Sequence, residues 1–204
     1  MARLYVEDWS PEYGAPFESD TDPLPSEVDV DTAVEVRGAW EPLPGRDDGV
    51  RLVAFVDGVQ RLEARITLDD LDTAPQPGIC AAFAVGASVW DREAGASAFA
   101  HIGVHRLAIF GDARTPVLPP VPGLDYRVEA TEARDIPSFT AVLGSRRNRA
   151  EVSLVERIAS AECFVFKDGR LDDVGPQHAV GYIKSHHRSY LAPDRKSTRL
   201  NSSH

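Results

Sequence analysis

The chain has 204 residues, enough for one domain with a hydrophobic core or for a domain with an appendage. Apolar residues make up 43% of it and charged residues 26%, the balance of an ordinary soluble globular protein. With no apolar run of membrane-spanning length and no secretory signal at the start, we expect a cytoplasmic protein without a membrane partner. The net charge of −10 argues against nucleic acid as a partner, because phosphate binding favours a positive surface. The objection is weakened because a metal-dependent nuclease needs clustered carboxylates and its basic residues can be confined to one groove.

Residues 1–49 differ in composition from the rest of the chain. They are rich in proline, aspartate and glutamate, and their periodicity is weak apart from a possible short strand at Ala33–Arg37. We predict an extended arm that packs a few aromatic anchors onto the following domain. The aromatic residues of this arm are Tyr5, Trp9, Tyr13, Phe17 and Trp40.

The predicted core spans residues 50–193 and opens with two strand-like runs. The first, VRLVAFVDG, is rich in β-branched and aromatic residues and ends in Asp57-Gly58. The second, RLEARITL, alternates apolar and polar residues, as a half-buried strand does. The pair predicts a β-hairpin that turns around Asp57-Gly58-Val59-Gln60.

Further strands and one helix follow along the chain. Apolar runs predict strands at 78–90 and 101–110, and a third strand nearer an edge at 125–133. From about Gly144 to Ala161 apolar residues recur every three or four positions, which predicts an amphipathic helix. Short strands are predicted at 163–166 and 180–183, so the pattern favours an α/β domain on a mixed sheet, with α+β as the alternative. Cys80 and Cys163 lie in strand-like runs and are predicted to be reduced core thiols.

Two of the predicted strands end in Asp-Gly, at Asp57 and at Asp168. An aspartate just past a buried strand suits metal binding, because the sheet fixes its backbone while the carboxylate faces a cleft. Asp-Gly is also the commonest hairpin turn, so each motif taken singly favours a purely structural interpretation.

The helix between these motifs adds Glu151 and Glu156. Two-metal phosphodiester hydrolysis needs carboxylates from separate elements that converge on ions roughly 3.5–4 Å apart. Glu151 shares a helical stripe with Val155 and Ile158 and should face the sheet, so we prefer it to Glu156 as a ligand. The alternative, that both are solvated helix carboxylates, stays open.

Two blocks resemble the NurA family of DNA double-strand break repair nucleases. LVAFVDGVQRLEARI is similar to the family's opening strand and Asp-Gly motif, and CFVFKDGRL with VGYIKSHHRSYL is similar to its later Asp-Gly-x-Leu and Gly-x-x-Lys segments. The resemblance covers roughly Val50–Leu191; the middle is matched by pattern alone. Val59 departs from it, because the family usually has a small hydroxyl residue there. The family's further tyrosine and histidine near its C-terminus have no secure counterpart.

The resemblance implies a ribonuclease-H-like mixed β-sheet with flanking helices, incomplete at the C-terminus. It also implies a deoxyribonuclease that depends on Mn²⁺ or Mg²⁺, forms a homodimer and acts on DNA with a HerA-like hexameric ATPase in end resection. Asp57 and Asp168 would be metal ligands and catalytic residues, and Glu151 the helix ligand. Lys184 would meet the scissile phosphate or orient the attacking water.

Basic residues beside these motifs are candidates for holding DNA. Lys184, His186, His187 and Arg188 form a dense basic segment; we expect Arg188 to contact the DNA backbone, and both histidines to be solvated. Arg146, Arg147 and Arg149 stand near the predicted helix start, where the helix dipole disfavours cations, which hints at phosphate binding. His101 and His105 alternate on one predicted strand, and a satisfied sheet histidine is the commoner interpretation of each.

Other function classes have less support. The chain has no G-x-S-x-G elbow, no P-loop and no dinucleotide fingerprint. The main competitor is a non-catalytic DNA-end or translocase-binding module of the same fold, and a further alternative is another ribonuclease-H-like nuclease such as a resolvase or an RNA-directed enzyme. The final residues, 194–204, read DRKSTRLNSSH, which matches a translated sequencing-library adapter; we expect them to be non-native.

Overall fold

The computed structural model describes residues 3–7, 24–25, 49–69, 74–118, 122–171, 177–183 and 188–189. The chain divides into two units, one made of Met1–Ala15 with Val50–Tyr182 and the other of Pro16–Gly49 with Ile183–His204. The elements in chain order are β1 (Arg3–Val6), β2 (Leu24–Pro25), β3 (Leu52–Asp69), β4 (Gln76–Asp91), β5 (Ala96–Phe110), β6 (Arg127–Ala130), α1 (Ile136–Ile158), β7 (Cys163–Asp168), β8 (Ala179–Tyr182) and β9 (Arg188–Ser189). In the second unit, β2 pairs in parallel with β9.

The first unit is built on one mixed sheet of seven strands in its described part. The strand order is β6-β5-β4-β3-β7-β8, and β1 lies antiparallel to the C-terminal part of β3. β3, β4 and β5 form an antiparallel meander, whereas β7 runs parallel to β3 and β8 parallel to β7. The predicted α/β class with a mixed sheet is therefore confirmed, and β6 lies at an edge as expected.

The predicted hairpin at Asp57-Gly58 is wrong. β3 is a single strand of 18 residues, and it pairs with β4 from Leu52 to Leu68 with a bulge between Leu62 and Ala64. Asp57-Gly58 lies inside this strand, opposite Gly86 and Val85. Glycine is tolerated in a strand interior where another element approaches closely, and this is its situation here.

Helix α1 begins at Ile136, well before the predicted start at Gly144. Asp135 caps it, accepting a hydrogen bond from the Ser138 amide at 2.9 Å, and Pro137 stands in the first turn, where its missing N–H does no harm. The arginines at 146, 147 and 149 consequently lie in the middle of the helix. The argument that they oppose the dipole at the helix start is therefore wrong.

One face of the sheet is covered by α1. Ala54 and Val56 of β3 pack with Leu154 and Val155 of the helix, and a neighbouring cluster joins Phe83 of β4 to the first turns of α1. Because side chains alternate along a strand, the residues between them point to the other face. Phe55 and Val59 lie there and are more than half exposed.

The remaining predictions have mixed outcomes. Strands 78–90 and 101–110 are confirmed within β4 and β5, and Cys80 and Cys163 are free, with Cys163 buried. Tyr5, a predicted anchor, is 46% exposed. The possible strand at Ala33–Arg37 and the other predicted anchors (Trp9, Tyr13, Phe17 and Trp40) lie outside the described residues. In the described part of the chain, no helix is both long and apolar enough to cross a membrane.

Candidate functional site

A cleft of about 580 Å³ opens where β7 ends, beside α1 and the middle of β3. It forms because β3 continues past Val56, where its pairing with β7 stops. The residues that line it are Asp57, Gly58, Arg147, Asn148, Glu151, Lys167, Asp168, Gly169 and Arg170. All three predicted metal ligands, Asp57, Glu151 and Asp168, are thus brought to one cleft from three separate elements.

Glu151 is the most constrained of these residues. Its side chain is 4% exposed, and its Oε2 lies 2.9 Å from Nζ of Lys167, whose own side chain is 2% exposed. Nε of Arg147, one helical turn away, lies 3.2 Å from Oε1 but outside hydrogen-bond geometry. A buried carboxylate needs such partners, because charge removed from water costs several kcal/mol when it is unpaired.

Lys167 is held by its position in β7. Cys163, Val165 and Lys167 alternate along the strand on its buried side, so the lysine points toward α1. Its Nζ also donates to the backbone carbonyl of Asp168 at 3.0 Å. The ammonium group therefore bridges the helix and the end of the strand.

Gly58 permits this close contact between β3 and α1. A Cβ atom at this position would lie 2.4 Å from Oε1 of Glu151 and 3.2 Å from the carbonyl oxygen of Ala84. Only a residue without a side chain leaves room for the carboxylate. The Asp-Gly motif is therefore explained by packing and not by a turn.

The two aspartates stand differently from Glu151. Since Val56 and Gly58 face α1, the side chain of Asp57 leaves β3 on the opposite side, and its Oδ1 accepts a hydrogen bond from the Gly58 amide at 2.7 Å. Asp168 follows Lys167 at the last position of β7, where Gly169 turns the chain with a φ of +82°. Both aspartates line the cleft.

The donor chemistry of the cleft fits a hard divalent ion, because Mg²⁺ and Mn²⁺ favour carboxylate oxygens. The described residues nevertheless contain no group of three His, Cys, Asp or Glu side chains close enough together to hold an ion. The exit of Asp57 on the face of β3 opposite Glu151 contributes to this.

The other predicted site residues are distributed more widely. Arg147 lies in this cleft, but Arg146 and Arg149 line a different pocket, next to β5. Glu156 is exposed, so of the two helix acids it is Glu151 that faces the sheet. Lys184, His186 and His187 lie outside the described residues, and of Arg188 only the backbone, in β9, is described.

Sequence reasoning missed Lys167. A signal was present, because Lys167 occupies the inward position of a strand whose other inward residues are Cys163 and Val165. A charged residue at a core position needs a buried partner, and Glu151 is the carboxylate that sequence periodicity turns toward the same layer.

Neither the protein-family models nor the curated proteins compared with this chain gave a match. The function therefore has to be argued from the cleft and the fold that positions it.

Proposed function

We propose that this chain is a divalent-metal-dependent deoxyribonuclease of the NurA type. The observation that carries the proposal is that Asp57, Glu151 and Asp168, from a central strand, a helix and a later parallel strand, all line one cleft. Carboxylates from separate elements around one cleft are what phosphodiester hydrolysis by metal ions needs. The resemblance of both Asp-Gly blocks to NurA proteins selects DNA as the substrate.

The architecture supports a ribonuclease-H-like assignment. An antiparallel meander of three strands is followed by a helix and by two strands parallel to the first, in the order β5-β4-β3-β7-β8. We take this strand order as support for the ribonuclease-H-like part of the proposal. One fold hosts many functions, so the architecture alone does not define an activity. The residues of the cleft must supply the chemistry of a nuclease.

Asp57, Glu151 and Asp168 are the residues that would hold Mn²⁺ or Mg²⁺. When bound, such ions supply an activated water and stabilise the leaving oxygen of the phosphodiester. Lys167 holds the Glu151 carboxylate in place, and Arg147 and Arg170 add positive charge at the cleft, where a DNA phosphate would approach. A homodimer and a HerA-like ATPase partner in the cytoplasm belong to the same proposal.

The proposal is tested by cleavage of end-labelled single-stranded DNA with Mn²⁺, comparing the wild type with Asp57→Asn. We expect the variant to lose more than about a hundredfold in rate, the upper end of losses from residues that merely support a metal ligand. Asp69→Asn is the matched control, because Asp69 ends the same strand outside the cleft. Cleavage by Asp57→Asn at the wild-type rate, or an equal loss in Asp69→Asn, would overturn the assignment.

A second candidate is a non-catalytic DNA-end or translocase-binding module of the same fold. The observation in its favour is that Lys167 and Arg147 already neutralise Glu151 without any metal. Calorimetric titration with Mn²⁺ separates the two: a nuclease binds the ion and loses that binding in Asp57→Asn, whereas a binding module gives no heat in either protein while still binding DNA.

A further inference from the structure

Another pocket lies on the other side of α1 from the carboxylate cleft. It measures about 950 Å³ and opens where β5, the loop before β6 and the middle of α1 meet. Its lining residues are Phe83, Val104, His105, Arg106, Leu107, Gly123, Leu124, Asp125, Arg127, Arg146, Arg149, Ala150 and Ser153. None of them lines the carboxylate cleft.

The helix residues of this pocket follow one stripe. Arg149 and Ala150 follow Arg146 by three and four positions, and Ser153 follows them by four and three, so the four residues share a face of the helix. Arg147 and Glu151 turn to the carboxylate cleft. Two sites therefore flank one helix, each with arginine on its side.

The pocket is positive within a strongly acidic chain. Four arginines line it against one aspartate. Glu129 pairs with Arg127 and with Arg146, the latter at 2.5 Å, and Glu63 lies 3.8 Å from Arg106. The balance is four positive charges minus three negative ones, or +1, compared with −10 for the whole chain.

Arg149 is the arginine of this pocket whose charge is not paired with a carboxylate among the described residues. It is exposed, and among the residues that the structure describes it has no ion-pair partner. Glu129, in contrast, is paired with two arginines. Burial acts to raise the pKa of Glu129, but the hydrogen bonds from Arg146 and Arg127 outweigh it and hold this pKa below its ordinary value. Glu129 thus stays ionised and fixes Arg146, which leaves Arg149 to meet an anion.

The opposite wall of the pocket carries an aromatic surface. The ring of His105 stacks on that of Phe83, with centroids 4.8 Å apart and planes 23° apart. Phe83 is 6% exposed and belongs to the core, whereas His105 is exposed. A ring supported from beneath by the core and open above is suited to stack a planar base.

We propose that this pocket binds one nucleotide of a single-stranded DNA segment, with its phosphate on Arg149 and its base on His105. The identity of the strand as DNA rests on the proposed nuclease function. In this proposal, the carboxylate cleft holds the phosphodiester that is cleaved, and the pocket across the helix holds a neighbouring nucleotide of the same strand. A phosphate beside a planar base is the shared chemistry, which a free nucleotide also offers.

The test measures binding by the full chain of a fluorescein-labelled oligothymidylate, by anisotropy with EDTA present so that no cleavage occurs. We expect Arg149→Gln to weaken binding about tenfold, the effect of one charge-assisted hydrogen bond, and to lower the salt slope by about one. Arg157→Gln is the matched control, since it removes the same charge from an exposed position in the last turn of the same helix. For the ring, His105→Leu should weaken binding and His105→Phe should keep it. Competition by thymidine monophosphate distinguishes a free-nucleotide site from a strand site.

Several outcomes would overturn the inference. Equal losses in Arg149→Gln and Arg157→Gln would reduce the effect to general charge, and equal losses in both His105 variants would remove the stacking surface. Competition by the mononucleotide at the oligonucleotide's own affinity would assign a free nucleotide instead of a strand. Because cleavage plays no part in this assay, a failed nuclease test leaves the result standing, and a failed binding test leaves Asp57 to be judged by cleavage.

Discussion

The ion pair between Lys167 and Glu151 gives a stability prediction that depends on burial. At 2.9 Å and an effective dielectric constant of about 20, the gross attraction of the pair is about 6 kcal/mol. Removing each ion from water costs several kcal/mol, so the net contribution of the intact pair is near zero. Deleting one member is a different matter, because the other is then buried with its charge uncompensated.

The two single variants should differ. Among the described residues, Glu151→Leu leaves Lys167 with the Asp168 carbonyl as its remaining partner, so we expect a loss of about 3–5 kcal/mol in the free energy of unfolding. Lys167→Met leaves Glu151 with Arg147 at 3.2 Å, which is partly exposed, so we expect a smaller loss of about 2 kcal/mol. The double variant replaces both ions by apolar groups of similar size and should return to within about 1 kcal/mol of the wild type.

Urea unfolding measures these differences as shifts in midpoint at an unchanged slope. The control is Arg51→Met, which breaks the contact of Arg51 with Asp91, also 2.9 Å long, in a setting where the arginine side chain is half exposed. Solvent screens that pair, so the midpoint should barely move. Equal losses of stability in Arg51→Met and Glu151→Leu, or a loss in the double variant equal to the sum of the two single losses, would refute the role of burial.

Two further predictions concern a glycine and a thiol. Gly58→Ala should destabilise the fold by about 1–3 kcal/mol, because the new methyl group would clash with Glu151 and the Ala84 carbonyl. In the control Gly86→Ala, the new Cβ would make only contacts of 3.4 Å or longer, so this variant should unfold in urea like the wild type. Equal urea midpoints for the two variants would contradict the packing role of Gly58. Burial, and to a smaller extent the negative charge of Glu63, raises the pKa of the Cys80 thiol to about 11. The rate of its alkylation by iodoacetamide should therefore rise about tenfold per pH unit from pH 8 to pH 10. A rate that levels off near pH 9 would refute the raised pKa.

Most strands of the sheet can be predicted because their sequences carry strong local strand signals. The apolar runs in β4 and β5 and the short run from Cys163 are long enough, and rich enough in apolar and β-branched residues, to identify strands without tertiary information. Apolar periodicity identifies the helix only from about Gly144 onward. Its true start carries a capping aspartate and an early proline at 135 and 137, a local signal that is readable but was outweighed by the clearer periodicity downstream.

The error at Asp57-Gly58 has a different origin. As a dipeptide, Asp-Gly favours a turn, and no local signal says that a helix will lie against the glycine. That information sits in Glu151, 93 positions later, whose carboxylate would come within 2.4 Å of a Cβ at position 58. The candidate cleft could thus be predicted as a set of carboxylates, but not its geometry, because packing between distant elements decides which face of β3 each side chain uses.

Glu151 is the residue on which the two candidate functions differ. Its burial obliges it to have a cationic partner, and Lys167 fills that role from a strand position that the core holds in place. A divalent ion that used this carboxylate would compete with the ammonium group for Oε2. Its affinity would therefore reflect the loss of one buried contact as well as the gain of another, and a cleft of this kind binds metal only when further ligands, such as Asp57 and Asp168, contribute at the same time. In a nuclease, Asp57 and Asp168 turn toward Glu151 when a divalent ion binds. In a non-catalytic module of the same fold they do not, and this is the structural difference between the two candidate functions.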